Sequence, residues 1–85
     1  MAFFSAKIRV MVKPAINDPE SQTIEKALLT LGFNSIRRVR TGKYFQVTLE
    51  AKTHSAAETL ATEMCEKLLA NPVIEHFDLE IENIE

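Results

Sequence analysis

Three stretches of this sequence alternate apolar and polar residues with a period of two, which is the pattern of half-buried β-strands. They are residues 6–13, 44–50 and 74–82. In each stretch the apolar side chains lie on one face of the strand. The pattern therefore predicts a β-sheet with one buried and one solvent-exposed face. The apolar positions are Ile8, Val10, Val12, Phe45, Val47, Leu49, Phe77, Leu79 and Ile81.

A first helix is predicted between the first two of these strands. Asp18 suits the N-cap and Pro19 the first helical position, while Gly32 suits the left-handed residue that ends a helix. Apolar residues recur between them at the spacing i, i+3, i+4, i+7, so we expect one buried stripe. The stripe consists of Ile24, Ala27, Leu28 and Leu31.

A second helix is predicted from Ser55 to about residue 70. Ser55 and Glu58 have the spacing of a capping box, in which each side chain bonds the other residue's backbone amide. The pair Asn71-Pro72 then ends the helix. The residues expected to face inward are Ala57, Leu60, Ala61, Met64, Cys65 and Leu68.

The segment before the second strand is harder to place. Residues 35–40 are predicted to be extended, with Gly42 as the candidate for a positive-φ turn. A two-residue turn at Gly42 and Lys43 would pair Arg40 with Phe45, which puts an arginine on the apolar face. Either a bulge shifts the register, or this hairpin lies partly against another subunit. The sequence leaves both alternatives open.

The elements follow the order β-α-β-β-α-β, which favours an α+β fold with an antiparallel, ferredoxin-like sheet and two helices on one face. With 85 residues and 9.6 kDa the chain is expected to form a single domain over residues 1–85. A compact chain of this mass exposes about 5,100 Å² of surface.

Charge and cysteine content exclude several classes of protein. Residues 1–43 have a net charge of +5 and residues 44–85 a net charge of −7, so one basic and one acidic surface are expected. The overall charge of −2 argues against nucleic acid as the main partner. A single cysteine excludes an intramolecular disulfide and suits a reducing compartment such as the cytoplasm. Neither a signal peptide nor a membrane span is indicated.

No arrangement of residues points to catalysis, so we interpret the chain as a non-catalytic domain. His54 and His76 lack partners at the spacing of metal ligands, which argues against a metal site. Cys65 lies among apolar helix residues and is expected to serve packing. Gly42 and Lys43 do not form a phosphate-binding loop, because that motif needs more glycines and a following helix. Catalytic, cofactor-binding and metal-binding residues are therefore all expected to be absent.

A cluster of basic residues is the unusual feature of the sequence. Arg37, Arg38, Arg40 and Lys43 lie within seven residues, beside Tyr44. These charges could simply be a solvated hairpin that discourages edge pairing. Alternatively, arginine and tyrosine side by side are typical anchors of protein interfaces. The candidate residues for a partner interface are Arg37, Arg40, Gly42, Lys43 and Tyr44.

An ordered set of features covers nearly the whole chain: the alternating residues 6–13, Asp18-Pro19, Ala27-Leu28, Leu31-Gly32, residues 39–43 and residues 67–75. In these features the chain resembles the PurS family, the small subunit of phosphoribosylformylglycinamidine (FGAM) synthase. It departs from the family pattern at Ser21, where a glycine is common.

The resemblance implies a subunit without an active site or bound cofactor of its own, in a cytoplasmic complex that uses ATP and Mg. In the family this subunit joins a large synthetase subunit to a glutaminase subunit. Ammonia from glutamine then converts formylglycinamide ribonucleotide to formylglycinamidine ribonucleotide, in purine biosynthesis. The resemblance also implies a homodimer or tetramer, with no nucleic-acid or membrane partner.

Two other functions fit the same order of elements. A single-strand RNA-binding domain places aromatic residues on its third strand, but residues 42–47 match that motif only partly. A small-molecule regulatory module usually has glycine in the first strand–helix loop, where this chain has residues 14–18 without glycine. Titration against RNA and free amino acids would separate both from a subunit that binds only proteins.

Overall fold

The computed structural model of the protein describes residues 1–84. It contains three strands and two helices, and the second helix continues into a π-helical turn. In chain order they are β1 (Ala2–Val12), α1 (Pro19–Thr30), β2 (Gly42–Ala51), α2 (His54–Met64), the π-helical turn (Cys65–Leu69) and β3 (Glu75–Asn83).

The sheet has the order β2-β1-β3, and β1 pairs antiparallel with both neighbours. The three predicted strands are confirmed, as is the α+β class with an antiparallel sheet. β1 begins four residues earlier than predicted, and this adds Phe4 to the core beside Ala6, Ile8 and Val10. All four are almost fully buried, because β1 is central and α2 covers its apolar face.

α2 packs on the sheet through its smallest side chains. Ala57, Ala61 and Cys65 are completely buried, as predicted. Leu60 and Leu68, which were predicted to face inward, are instead exposed. A stripe of small residues lets the helix lie close to the strands, which leaves the larger leucines at its flank.

The start of α2 also differs from the prediction. Thr53 is the N-cap, and its hydroxyl accepts a hydrogen bond from the Ala56 amide at 3.0 Å. Ser55 therefore lies inside the first turn, and the predicted capping box with Glu58 is wrong. Both Thr53 and Ser55 are favourable N-cap residues. Because β2 ends at Ala51, the chain reaches Thr53 first, and the helix begins there.

The ends of α1 are confirmed in detail. Asp18 caps the helix, and Gly32 adopts a φ of 101°. The amide of Phe33 donates to the carbonyl of Leu28, and that of Gly32 donates to Leu29, both at 3.1 Å. These two bonds form a Schellman motif, which satisfies carbonyls that the helix end would leave unpaired.

The predicted burial of α1 is wrong for the isolated chain. Ser21 is the one buried residue of the helix, while Ile24, Ala27 and Leu31 are exposed and Leu28 is half-buried. α1 makes no extensive contact with α2 or with any strand. Of the two helices expected on one face of the sheet, only α2 lies on it.

Residues 35–40 do not form the predicted fourth strand. They run without regular structure from α1 back to β2, and no strand among residues 1–84 pairs with them. The sheet therefore has three strands, and the order along the chain is β-α-β-α-β. We call residues 13–41, which comprise α1 and its flanking segments, the arm.

The arm makes the molecule long and flat, with extents of 52 × 27 × 14 Å. Its radius of gyration is 16.5 Å, whereas a compact chain of this length has about 12 Å. The accessible surface of 6067 Å² also exceeds the compact expectation. Neither helix in the described part of the chain is long and apolar enough to cross a membrane.

Candidate partner-binding site

The candidate interface residues lie at the base of the arm, where it joins the sheet. Gly42 is the first residue of β2 and pairs with Met11 of β1. Its φ is not positive, since among the described residues Gly32 is the glycine with that conformation. The predicted turn at Gly42 and Lys43 is therefore wrong. A Cβ at Gly42 would lie 2.2 Å from the Met11 sulfur and 2.6 Å from the Val10 carbonyl oxygen, so glycine is required there for space.

Two of the candidate cations have partners within the chain. The guanidinium of Arg40 donates to the carbonyl oxygen of Val12 at 2.6 Å. The ammonium of Lys43 lies 3.9 Å from a carboxylate oxygen of Glu75 on β3. Arg40 thus ties the end of the arm to the end of β1, which lowers its availability to a partner.

A buried hydroxyl fixes the first turn of α1 to the start of β2. Ser21 is 5% exposed and donates to the carboxylate of Asp18. The amide of Thr41 donates to the Ser21 oxygen at 2.8 Å. The carboxylate of Asp18 accepts hydrogen bonds from the Ser21 hydroxyl and the Ser21 amide, and these bonds lower the pKa of Asp18 because they stabilise its charged form. Ser21 and Thr41 are positioning residues that no sequence motif predicted, although Ser21 is the position at which the chain departs from the family pattern.

Replacing Ser21 with alanine should destabilise the fold by about 1–2 kcal/mol, because the Thr41 amide loses its acceptor in a nearly buried place. The pKa of Asp18 is lower in the folded state, so its contribution to stability is present above about pH 4 and is lost as the pH falls. Urea denaturation should show a smaller acid-induced loss of stability in the variant.

Ser55→Ala is the matched control, since Ser55 is exposed and does not cap α2. We expect a change below about 0.5 kcal/mol for it. Equal stability of Ser21→Ala and the unmodified protein would contradict the anchoring role of Ser21.

Arg37 and Arg38 are the free cations of the basic segment. Both are exposed, and neither side chain has a hydrogen bond or ion pair within residues 1–84. Arg38 also lines a cleft of about 240 Å³ at the base of the arm, together with Asp18 and Glu25. Because the cleft carries both signs of charge, it suits a protein surface better than a single small ion.

Tyr44 lies on the open face of the sheet, away from α2. It is 56% exposed and pairs in register with Arg9 of β1. On the same face Arg9 donates to Asp78 at 2.8 Å, and Lys7 donates to Glu82 at 3.3 Å. The structure thus places Tyr44 apart from Arg37, on a face whose charges pair across the strands.

The groups with possible nucleophilic or metal-binding chemistry are Cys65, His54 and His76, of which Cys65 and His76 line one cleft. Cys65 is fully buried under the sheet, and burial raises the pKa of its thiol, so it stays protonated and unreactive. His54 contacts Phe4 edge-on and has a ring nitrogen 3.2 Å from the Ile81 carbonyl oxygen. No cluster of three possible metal ligands occurs within residues 1–84.

Comparison with known proteins gives one consistent family. The family model of PurS, described as phosphoribosylformylglycinamidine (FGAM) synthase, matches residues 5–83. The PurS subunit of Methanocaldococcus jannaschii is 37% identical over 82 residues, which are 96% of this chain and 99% of that protein. The PurS subunit of Bacillus subtilis is 38% identical over 81 residues, which are 95% of either chain.

Solved structures agree with the sequence match. The crystal structure of Methanocaldococcus jannaschii PurS matches with a TM-score of 0.86 at 35% identity, covering 96% of this chain and 99% of that one. A structure of PurLQS from Thermotoga maritima matches with a TM-score of 0.89 at 29% identity, covering 96% of this chain and all of the matched one. The projecting arm is therefore compatible with the fold of these proteins.

Proposed function

The chain belongs to the PurS family of phosphoribosylformylglycinamidine synthase subunits, and on that premise we propose that it is the non-catalytic subunit that joins a synthetase subunit to a glutaminase subunit. The observation that carries the proposal is the similarity, over nearly the whole chain, to one chain of the PurLQS structure from Thermotoga maritima. The proposed complex works in the cytoplasm in purine biosynthesis, and this chain enters it as one domain.

Such a subunit is needed because ammonia must pass from one active site to another without being lost to solvent. Ammonia released from glutamine at one site is protonated at neutral pH and diffuses away unless the consuming site is held close by. The synthetase would use it, with ATP and Mg bound outside this chain, to convert formylglycinamide ribonucleotide to formylglycinamidine ribonucleotide.

We propose that the subunit also associates with itself, as a homodimer or tetramer. A single chain leaves many large apolar side chains in water, mostly on the arm and on the flank of α2. Exposed apolar surface on this scale marks an interaction site. The residues are Met1, Phe3, Ile16, Ile24, Leu29, Leu31, Phe33, Tyr44, Leu60, Leu68, Val73, Ile74 and Ile84.

We place the contact with the other subunits at the basic segment of the arm. Arg37 and Arg38 are free to pair with acidic groups, whereas Arg40 and Lys43 already bond within the chain. Gly42 and Tyr44 follow the segment on β2, and Tyr44 lies on the open face of the sheet outside the proposed contact. Guanidinium groups bind carboxylates through two parallel hydrogen bonds, which suits an acidic partner surface.

Reversing both free charges, with Arg37→Glu and Arg38→Glu together, should weaken assembly with the other two subunits by about fivefold or more. Raised salt should weaken the unmodified complex in parallel. Folding should change little, because exposed charges contribute only about 0–1 kcal/mol to stability. Sedimentation of the mixed subunits measures the first effect, and circular dichroism the second.

The control is the pair Lys26→Glu and Lys52→Glu, which changes the net charge equally at two exposed positions outside the segment. We expect this pair to bind nearly as well as the unmodified protein. If the arginine variant binds as tightly as this control, the basic segment is merely solvated and the contact lies elsewhere.

A further inference from the structure

The cleft at the base of the arm contains charged side chains of both signs. Its lining comes from the end of β1, the loop that follows β1, the first two turns of α1 and the segment before β2. The volume of the cleft is about 240 Å³. The charged residues that line it are Lys13, Asp18, Glu25, Arg38 and Arg40.

Most polar groups of this cleft already have partners within the chain. The ammonium of Lys13 donates to a backbone carbonyl oxygen of the loop before β3 at 2.9 Å. Arg40 donates to the end of β1, and Asp18 accepts from the first turn of α1. The side-chain amide of Gln22 donates to that of Asn17 at 2.8 Å. None of these groups therefore needs a further ligand.

Glu25 and Arg38 are the exceptions. Within residues 1–84 neither side chain has a hydrogen bond or an ion pair, and the two do not pair with each other. Glu25 is half-buried, so its carboxylate has lost part of its hydration without gaining a partner. The cleft thus offers one unpaired anion and one unpaired cation.

We propose that this cleft receives a segment of a partner subunit that presents a lysine or arginine to Glu25 and an aspartate or glutamate to Arg38. The inference rests on the proposed function and deepens it by naming the chemistry of the partner. A guanidinium binds a carboxylate through two parallel hydrogen bonds. Ile16 and Val39, which also line the cleft, suit the methylene stem of the partner's cationic side chain.

The size of the cleft favours a protein segment over a free amino acid, which carries the same two charges. Sites for free small molecules usually have roughly 300–1,000 Å³ and enclose most of the ligand. This cleft has about 240 Å³, and Arg38 at its lining is exposed. A partner protein would cover the opening with its own surface, whereas a free amino acid would stay partly in water.

The test depends on the sign of the effect at Glu25. Glu25→Gln should weaken assembly with the other two subunits by about threefold, and Glu25→Lys should weaken it by about tenfold or more. If the basic segment simply attracted an acidic surface, both substitutions would strengthen assembly, because each makes the region more positive. Sedimentation of the mixed subunits measures the direction. The matched control is Glu20→Gln, which removes an equal charge from the same helix outside the cleft and should assemble like the unmodified protein.

Two measurements on the chain alone identify other occupants. The mass by light scattering, expected to be at least twice 9.6 kDa, should be the same for the unmodified protein and both Glu25 variants. A lower mass for Glu25→Lys, with unchanged circular dichroism, would identify a second copy as the occupant and overturn the proposal. Free glutamine titrated into the chain should give no binding heat. Binding that Glu25→Gln abolishes would overturn the proposal in favour of a free amino acid.

The outcomes also separate this inference from the proposed function. An unmodified chain that joins neither of the other subunits refutes the proposed function, and this inference with it. An unmodified chain that assembles while Glu25→Gln assembles equally or more tightly refutes the inference alone.

Discussion

Replacing Gly42 with valine is expected to destabilise the fold by about 3 kcal/mol or more. The first added atom, Cβ, would lie 2.6 Å from the carbonyl oxygen of Val10 and 2.2 Å from the sulfur of Met11. The sulfur can move with its flexible side chain, but the carbonyl belongs to the central strand β1 and cannot move without disturbing the sheet. Chemical denaturation followed by circular dichroism measures the loss.

Two controls identify the cause as lack of space. Adding Met11→Ala to the valine variant should restore part of the stability, since it removes one of the two clashing groups. At Gly32 a Cβ meets no atom within 4 Å, so Gly32→Ala should cost only the backbone strain of its positive φ, about 1–2 kcal/mol. A midpoint for Gly42→Val equal to that of the unmodified protein would refute this account of the strand pair.

The strands were predictable because apolar residues that alternate with polar ones indicate a strand with one buried face. The pattern is the same whichever element packs on that face. Ile8, Phe45 and Leu79 all lie on the apolar face, as the alternation predicted. The neighbour of each strand was not predictable from alternation alone. The steric role of Gly42 was not predicted, because it depends on the pairing of Gly42 with Met11 on the neighbouring strand.

The helix ends were predictable where one local motif fixed them. Asp18 and Gly32 act through bonds to residues a few positions away, so their roles do not depend on the rest of the fold. At α2 both Thr53 and Ser55 could cap the helix. Thr53 is the N-cap because β2 ends at Ala51, two residues before Thr53. The tertiary position of a strand end is not visible in local sequence.

The burial of helix residues was predicted least well. Periodicity shows that a helix has an apolar face, but it does not show what covers that face. In α2 the sheet covers Ala61 and leaves Leu60 in water, because the close approach selects small side chains. In α1 the stripe around Ile24 has no cover within one chain.

Omitting this chain from the complex is expected to have the largest effect on activity of all the changes predicted for this protein. Without it the two other subunits should lose glutamine-dependent synthesis by about tenfold or more, because released ammonia would have to diffuse between separate sites. Synthesis from added ammonium salt should be unaffected, since that substrate needs no coupling between subunits. The Gly42→Val variant, if unfolded, should fail to restore the rate and so serves as a matched negative control.

The most direct measurement of the proposed role is therefore the rate of formylglycinamidine ribonucleotide formation by the synthetase and glutaminase subunits, with and without this chain. We expect the chain to restore synthesis from glutamine and to leave synthesis from ammonium unchanged, while the chain alone neither hydrolyses ATP nor releases ammonia from glutamine. A full glutamine-dependent rate from the two other subunits without this chain would contradict the coupling role.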